Sequence, residues 1–454
     1  MPAARRRRRL GALGAAALAL AGCHTVAGPA VYMGLGVADD AKAAQIGRIA
    51  LDGGGKAADA AVAMALTLAV TLPSRAGLGG GGLCLIHDPA TKAVRTLDFL
   101  PESALPGRSP LPGFLRGLYA LHAAYGKQRW EQALGGAESL AAVGTPVSRQ
   151  LALDLRADAG RLATDSGARR LFLSAAGQPL GEGEMLAQPE LAATLRAVRQ
   201  RGVGAFYGSA GTGSIGGTVA RGLGFEPATL AGTQAAWRGT VEVETDNDII
   251  HFPDRRSGGD GGLAGAWQAG LAAGDGGWQG ALVGALGPGT AAGAAPAAVF
   301  AVVDPDEQAV ACVLTLGGAF GSGRLVPETG FLAGGGAGAG GVGGPVLVVN
   351  AHQHTTLFAG AGAANGAGEG GRSAEAAVLS VLHASAVSHM AIPQSVVAPR
   401  AAPAPGGGML SEPGAAALGR VAAVSCLYSR TTGDKVCEGA ADPRGSGLNF
   451  TVLK

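Results

Sequence analysis

Apolar runs, and the glycine clusters between them, divide the chain into an ordered set of elements. Ala41 to Leu51 carries a helical pattern that stops at Gly53-Gly54-Gly55. Residues 56–72, KAADAAVAMALTLAVTL, are apolar nearly all round, which predicts a helix buried on both sides. The glycine loop 77–82 leads into LCLIHD, a strand. A turn at Pro89-Ala90-Thr91 then leads to a second strand, VRTLDF at 94–99. Residues 111–207 read as mainly helical, and the alternation in TVEVETDNDIIHF (240–252) reads as a strand. The Gly/Ala-rich stretch 260–296 shows no usable period and is expected to be a loop. A strong hairpin follows, AAVFAVVD (297–304) and AVACVLTL (309–316), turning through Pro305-Asp306-Glu307-Gln308. PVLVVN (345–350), an amphipathic helix at 374–388 and the strand and turn VAAVSCLYSR (421–430) complete the order. Locally paired strands with helices between the hairpins predict an α+β fold of stacked layers, not a doubly wound parallel sheet.

Composition narrows the class. Of 454 residues, 80 are glycine, but no G-X-Y period runs through them, so a collagen-like chain is excluded. Charged residues make up 15% and the hydrophobic class 47%, which fits a globular chain rather than a disordered one. Five of the 35 basic residues are Arg5 to Arg9; removing them, against 33 acidic residues, turns the formal charge from +2 to −3. A mildly acidic body with few aromatics does not point to nucleic acid. Arg5 to Arg9, the apolar stretch 10–21 and Leu20-Ala21-Gly22-Cys23 have the order of a bacterial lipoprotein signal. Residues 1–22 are thus expected to be a signal peptide and 23–34 a tether. Cys23 would be the lipidated residue and membrane anchor of a periplasm-facing lipoprotein of the cell envelope. His24, where inner-membrane retention would call for Asp, favours the outer membrane. The longest later apolar run, 60–72, ends at Pro73 and is too short to span a bilayer.

Candidate chemistry is sparse. Cys84 and Cys312 lie in apolar strands and are expected to be buried thiols. Cys426 and Cys437 flank a turn and could pair across it, though spacing alone leaves the bridge open. Gly77, Gly79 and Gly82 satisfy G-x-G-x-x-G, but a helix precedes them and a strand follows, the reverse of a dinucleotide site. Gly53-Gly54-Gly55-Lys56 lacks the hydroxyl residue of a phosphate-binding loop. His352 and His354 have no third ligand nearby in sequence, so neither metal nor cofactor is expected.

One stretch is informative as a set. GGGKAADAAVAMALTLAVTLPSRAGLGGGG (53–82) and TLDF (96–99) resemble the N-terminal signature of γ-glutamyltransferases. LPGFLRGLYALHAAYGKQRW (111–130), QPELAATLRAVRQRGVGAFYGS (188–209), Ser257-Gly258-Gly259, the 297–316 hairpin, Phe320-Gly321-Ser322-Gly323, Ala398-Pro399-Arg400 and Ala441-Asp442-Pro443-Arg444 follow in family order. The likeness runs over roughly residues 35–450. It implies an N-terminal-nucleophile hydrolase fold, a four-layer αββα sandwich. Residues 35–296 would correspond to the large subunit and 297–454 to the small one. In that family the proenzyme cuts itself before a threonine, whose hydroxyl then attacks a γ-glutamyl amide with its own α-amine as base.

The departures from the family cluster at that chemistry. Alignment on Val302-Val303-Asp304 places the nucleophile position at Ala297, with Ala298 where a second threonine is common. The arginine expected after Leu97-Asp98-Phe99 to hold the substrate carboxylate is Leu100. The asparagine expected after Thr315-Leu316 is Gly317, the polar lid is the glycine tract 334–344, and the serine pair before Pro345 is Gly343-Gly344 or their neighbours. Thr315, which supports the nucleophile in the family, and Gly370-Gly371, which match its oxyanion glycines, persist. The resemblance therefore implies a folded, exported relative that stays uncut and is catalytically impaired. Such a relative keeps a cleft able to hold a small γ-glutamyl or amino-acid ligand. An active γ-glutamyl hydrolase or transferase with a displaced nucleophile, Thr290 or Thr315, is the first alternative. A lipid-anchored structural or interaction protein is the second.

Overall fold

A computed structural model of the chain describes residues 32–101, 109–208, 215–260, 262–288, 295–336, 342–365, 372–404, 406–412, 418–428 and 435–453. Asp40 opens the first helix, Ala41–Asp52, its carboxylate accepting from the Lys42 and Ala43 N–H groups at 2.9 and 3.2 Å. Every residue of the next helix, Ala57–Thr71, is buried, as an all-round apolar sequence requires. It lies between the outer helices and a sheet whose strand order is Leu448–Leu453, Tyr32–Ala38, Ala297–Val303, Ala309–Thr315, Gly81–Asp88, Ala93–Asp98, Ala236–Arg238. A second sheet runs Lys435–Ala441, Arg420–Tyr428, Thr356–Ala363, Pro345–Asn350, Asp248–Pro253, Thr240–Thr245. All described pairings within the two sheets are antiparallel. Both sheets draw strands from either side of residue 297, so the two halves of the sequence are interwoven.

Period-two alternation sets the layers. In Ala297–Val303, Ala298, Phe300 and Val302 face the helices, while Ala297, Val299, Ala301 and Val303 face the second sheet. That sheet answers with Leu347, Ala359, Ala361, Ala363, Ala422 and Val424. Its other face, with Val346, Val348, Phe358, Val421 and Ala423, packs on Leu263–Leu286 and Ser373–Leu382. The result is helices, sheet, sheet, helices, with a narrow, alanine-rich seam between the sheets.

Three expectations are corrected. The alternation at 240–252 is two strands, because Asp246 takes a φ of 43° and turns the chain between them. Part of the supposed loop 260–296 is the helix Leu263–Leu286, interrupted at Gly274. Leu263, Ala266, Trp267 and Gly270 before that break, and Trp278, Leu282 and Leu286 after it, bury one face; the abundance of Gly and Ala hid this spacing. Cys84 and Cys312 are not thiols but a disulfide, 228 residues apart in sequence. They stand directly opposite each other on paired strands, with Cα atoms 4.2 Å apart. Cys426 and Cys437 are likewise a directly opposed, bridged pair. The 374–388 helix is α-helical over Ser373–Leu382 and widens into a π turn at His383–Val387. Among the described residues, no helix is long and apolar enough to cross a membrane.

The disulfides give a direct check. Thiol titration of the denatured, unreduced protein should count none of these four cysteines. Joint replacement of Cys84 and Cys312 by Ala should cost about 2–4 kcal/mol in chemical denaturation. Full reactivity of all four would remove the bridges from the protein.

Candidate functional site

The position singled out by sequence begins the Ala297–Val303 strand. Ala297 is directly paired with Thr315 across the hairpin, so both side chains point into the seam between the sheets. Ala297 is fully buried and offers only a methyl group. Thr315 is buried too, and its Oγ1 accepts from the Gly317 N–H at 2.9 Å, the one hydrogen bond described for it. Among the described residues, no imidazole, amine or carboxylate is hydrogen-bonded to that hydroxyl to act as base. The glycine loop serves packing here: a Cβ on Gly80 would stand 2.1 Å from the Thr315 carbonyl oxygen.

Leu100 lies in the same apolar cluster as Ala297. Its N–H donates to Asp98 Oδ1 at 3.0 Å, and Asp98 Oδ2 accepts from the Arg256 N–H at 2.6 Å, so one buried carboxylate staples two loops together. Gly343, at the expected serine pair, has a φ of 86°, and a Cβ there would stand 2.1 Å from the Gly362 carbonyl oxygen. This backbone therefore has no room for a serine at 343. Gly317 takes a φ of 72°. Gly370, Gly371, Thr290 and Cys23 lie outside the described residues.

Sequence reasoning missed the charged groups that surround Ala297. Arg420, which begins a strand of the second sheet, donates from Nε and Nη2 to Asp39 Oδ2 at 3.0 and 2.8 Å. Its Nη2 also donates to the Ala297 carbonyl, and its Nη1 to the Ala364 carbonyl at 3.0 Å and Asn365 Oδ1 at 2.8 Å. Asp39 Oδ2 in turn accepts from the Val299 N–H at 2.8 Å. Arg75, fully buried, pairs through Nε and Nη2 with both oxygens of Asp154, at 2.8 and 3.0 Å, and reaches the Asn365 carbonyl at 3.0 Å. Burial first, then the nearby Arg420, pushes the Arg75 guanidinium below its ordinary range. The only sequence signals were an arginine inside TLPSRAGLG and another just before VAAVS. An isolated charge beside an apolar run is a weak sign until its partner is known.

Two cavities lie away from Ala297, Thr315 and Leu100. One, of about 490 Å³, is lined by Asp248, Phe358, Ser385, His389 and Ser425 on the helix side of the second sheet. The other, of about 200 Å³, is lined by Arg170, Gln188, Glu190 and Leu325 among the helices. Among the described residues, no group of three or more His, Cys, Asp or Glu is placed to hold a metal. His352 lies in a turn, its N–H donating to Asn350 Oδ1 at 3.1 Å.

Two histidines occupy the seam itself. His87 is wholly buried, its Nδ1 against Thr356 Oγ1 at 2.9 Å and the Glu307 carbonyl at 3.1 Å, with Nε2 unpartnered. His251, from the facing sheet, bonds Thr240 Oγ1 at 2.9 Å, with Glu242 at 3.5 Å. Burial, reinforced by His87, pulls the His251 imidazole down to about 4.

A profile of the family described as gamma-glutamyltranspeptidase matches residues 43–224. Glutathione hydrolase 7 of Bos taurus is 36% identical over 191 residues, 39% of this chain and 28% of that protein. The glutathione hydrolase proenzyme of Bacillus subtilis (strain 168) is 33% identical over 188 residues, 36% of this chain and 32% of that protein. The matched stretch thus spans about a third or less of these relatives' own lengths. In structure, the chain is similar to a cephalosporin acylase from Bacillus halodurans, with a TM-score of 0.74 at 18% identity, covering 93% of this chain and 96% of that one. At that identity the likeness concerns the fold.

Two measurements check the energetics. Asp39→Ala leaves the Arg420 guanidinium buried beside Ala297 without its carboxylate partner, and should cost about 3–5 kcal/mol in denaturation. A loss under about 1 kcal/mol would show that the pair does not tie the sheets. For His251, the unfolded imidazole binds its proton near 6.5 and the folded one only near 4. Between those values the unfolded state holds more protons, so stability falls as pH drops from about 6.5 and the loss is complete below about 4. The full effect is on the order of 3 kcal/mol. His251→Gln should flatten the melting temperature against pH across that window, and an unchanged profile would contradict the assignment.

Proposed function

Since the chain belongs to the gamma-glutamyltranspeptidase family, we propose that it is an exported, lipid-anchored member that remains a single polypeptide and does not turn over γ-glutamyl peptides. Ala297 carries the proposal. Where the family's chemistry needs a hydroxyl at the head of this strand, the chain has a buried methyl whose backbone carbonyl is held by Arg420. Without a hydroxyl at 297 there is no N→O acyl shift to break the 296–297 bond, and hence no freed α-amine to serve as base. Leu100 and Gly343 support the same conclusion from the substrate side. Neither can hold a carboxylate or an ammonium group by its side chain, and a serine at 343 would clash. The order of Arg5 to Arg9, the apolar stretch 10–21 and Cys23 supports the anchor, which puts the proposed member on the periplasmic face of a membrane.

Denaturing electrophoresis with N-terminal sequencing tests the first claim. The mature protein should run as one chain and release no chromophore from a γ-glutamyl anilide above buffer. A second band beginning at residue 297, Thr290 or Thr315, with anilide release, would overturn it in favour of an active hydrolase with a displaced nucleophile. Labelling with a palmitate analogue tests the anchor: it should mark the wild type and be lost in Cys23→Ala.

A further inference from the structure

The larger of the two cavities, about 490 Å³, has the size of a small-molecule site, whereas the one of about 200 Å³ falls below that range. It lies on the helix face of the second sheet, far along the strands from Ala297. Asp248 stands directly opposite Asn350 there, and period-two alternation puts it on the same face as Ile250 and Phe252. Ser425 and Leu427 share that face with Val421 and Ala423.

Two departures from regular geometry meet at this cavity. In its floor, Val348 pairs with Phe358 but Val349 pairs with Thr356, so Leu357 is an extra residue in its strand. The bulge lets two consecutive side chains, Leu357 and Phe358, line one space. In its roof, the Ser373–Leu382 helix widens into the π turn His383–Val387, whose Ser385 and Ala386 line the cavity. The His383 ring stacks on Trp278 with centroids 3.9 Å apart, which holds that turn in place.

The charge of the walls is one-sided. Asp248 Oδ1 accepts from Asn350 Nδ2 at 3.1 Å, and no cation pairs with the carboxylate among the described residues. Burial pushes the Asp248 carboxyl up from the ordinary carboxylate range; the bond from Asn350 works against this, and Asp246 adds to it. An incoming cation would relieve that strain on the charged form. Val348, Leu357, Phe358 and Leu427 make the rest of the wall apolar, while Ser385 and Ser425 supply hydroxyls. The Ser425 hydroxyl donates to the Leu357 carbonyl at 3.0 Å, so its oxygen is left as an acceptor.

We propose that this cavity binds a small organic cation, a primary ammonium on an aromatic or other apolar body. The ammonium lies at Asp248, and the body lies against Leu357, Phe358 and Leu427. An ammonium has donors only, and the carboxylate and serine oxygens supply acceptors. A carboxylate ligand would meet the like charge of Asp248. A bare metal ion would lack ligands, since no group of three or more His, Cys, Asp or Glu is placed to hold one among the described residues. The site goes beyond the inactive reading and does not depend on it, because cutting at 297 would leave these walls in place.

The test is calorimetric titration of the folded full chain at about pH 8, where an ordinary imidazole is neutral and an alkylammonium is charged. Three probes share one skeleton: tryptamine, the neutral alcohol tryptophol and the anion indolepropionate. Tryptamine should bind, tryptophol should bind at least about tenfold more weakly, and indolepropionate should not bind. Asp248→Asn, whose side-chain carbonyl can still accept from Asn350, should weaken tryptamine at least about tenfold and leave tryptophol unchanged. Leu427→Lys replaces an exposed side chain at the rim, where folding does not depend on it, and should weaken tryptamine by like charge. The proposal is overturned if tryptamine does not bind the wild type, or if tryptophol or indolepropionate binds as tightly. It is equally overturned if Asp248→Asn binds tryptamine as the wild type does. Should Asp248→Asn fail to fold, unchanged tryptamine binding by Leu427→Lys overturns it.

Discussion

Asp39 and Arg420 meet where the two sheets are closest to the candidate site. Asp39 follows the Tyr32–Ala38 strand and accepts from the Val299 N–H; Arg420 opens a strand of the opposite sheet and donates to the Ala297 carbonyl. One ion pair thus joins the first strand, the strand at 297 and the second sheet. Around it the seam mixes alanines with leucines and valines from both sheets, an apolar layer without charge. Burial raises what the pair contributes and also the harm of breaking it, because either partner left alone would be a charge in a dry interior.

The same dryness explains the character of the site. A methyl at 297, an isobutyl group at 100 and glycines at 317 and 343 are all compatible with tight sheet packing, and none reacts. The polar groups that remain are turned to other tasks: Thr315 accepts a backbone N–H, and Asp98 binds the amides of Leu100 and Arg256. Arg255 is the exception, a charge whose only described acceptor is a carbonyl.

Much of the architecture was legible because it is local. The nearly all-apolar 56–72 segment reads as an inner helix, and the 297–316 alternation around Pro305–Gln308 reads as a buried hairpin. The family resemblance supplied the position of 297 within that hairpin. The helix at Leu263–Leu286 escaped notice since its signal is a few large residues among small ones, with a break at Gly274.

By itself the sequence determined the order of elements, the layered α+β class and the absence of a nucleophile at 297, because each depends on residue type and short-range period. Only tertiary structure decided which groups meet. Cys84 finds Cys312, Asp39 finds Arg420 and His87 faces His251, because strands from distant parts of the chain settle in one register. A shift of one residue would turn each side chain to the opposite face. That register is set by the summed burial of whole faces, so no short segment encodes it.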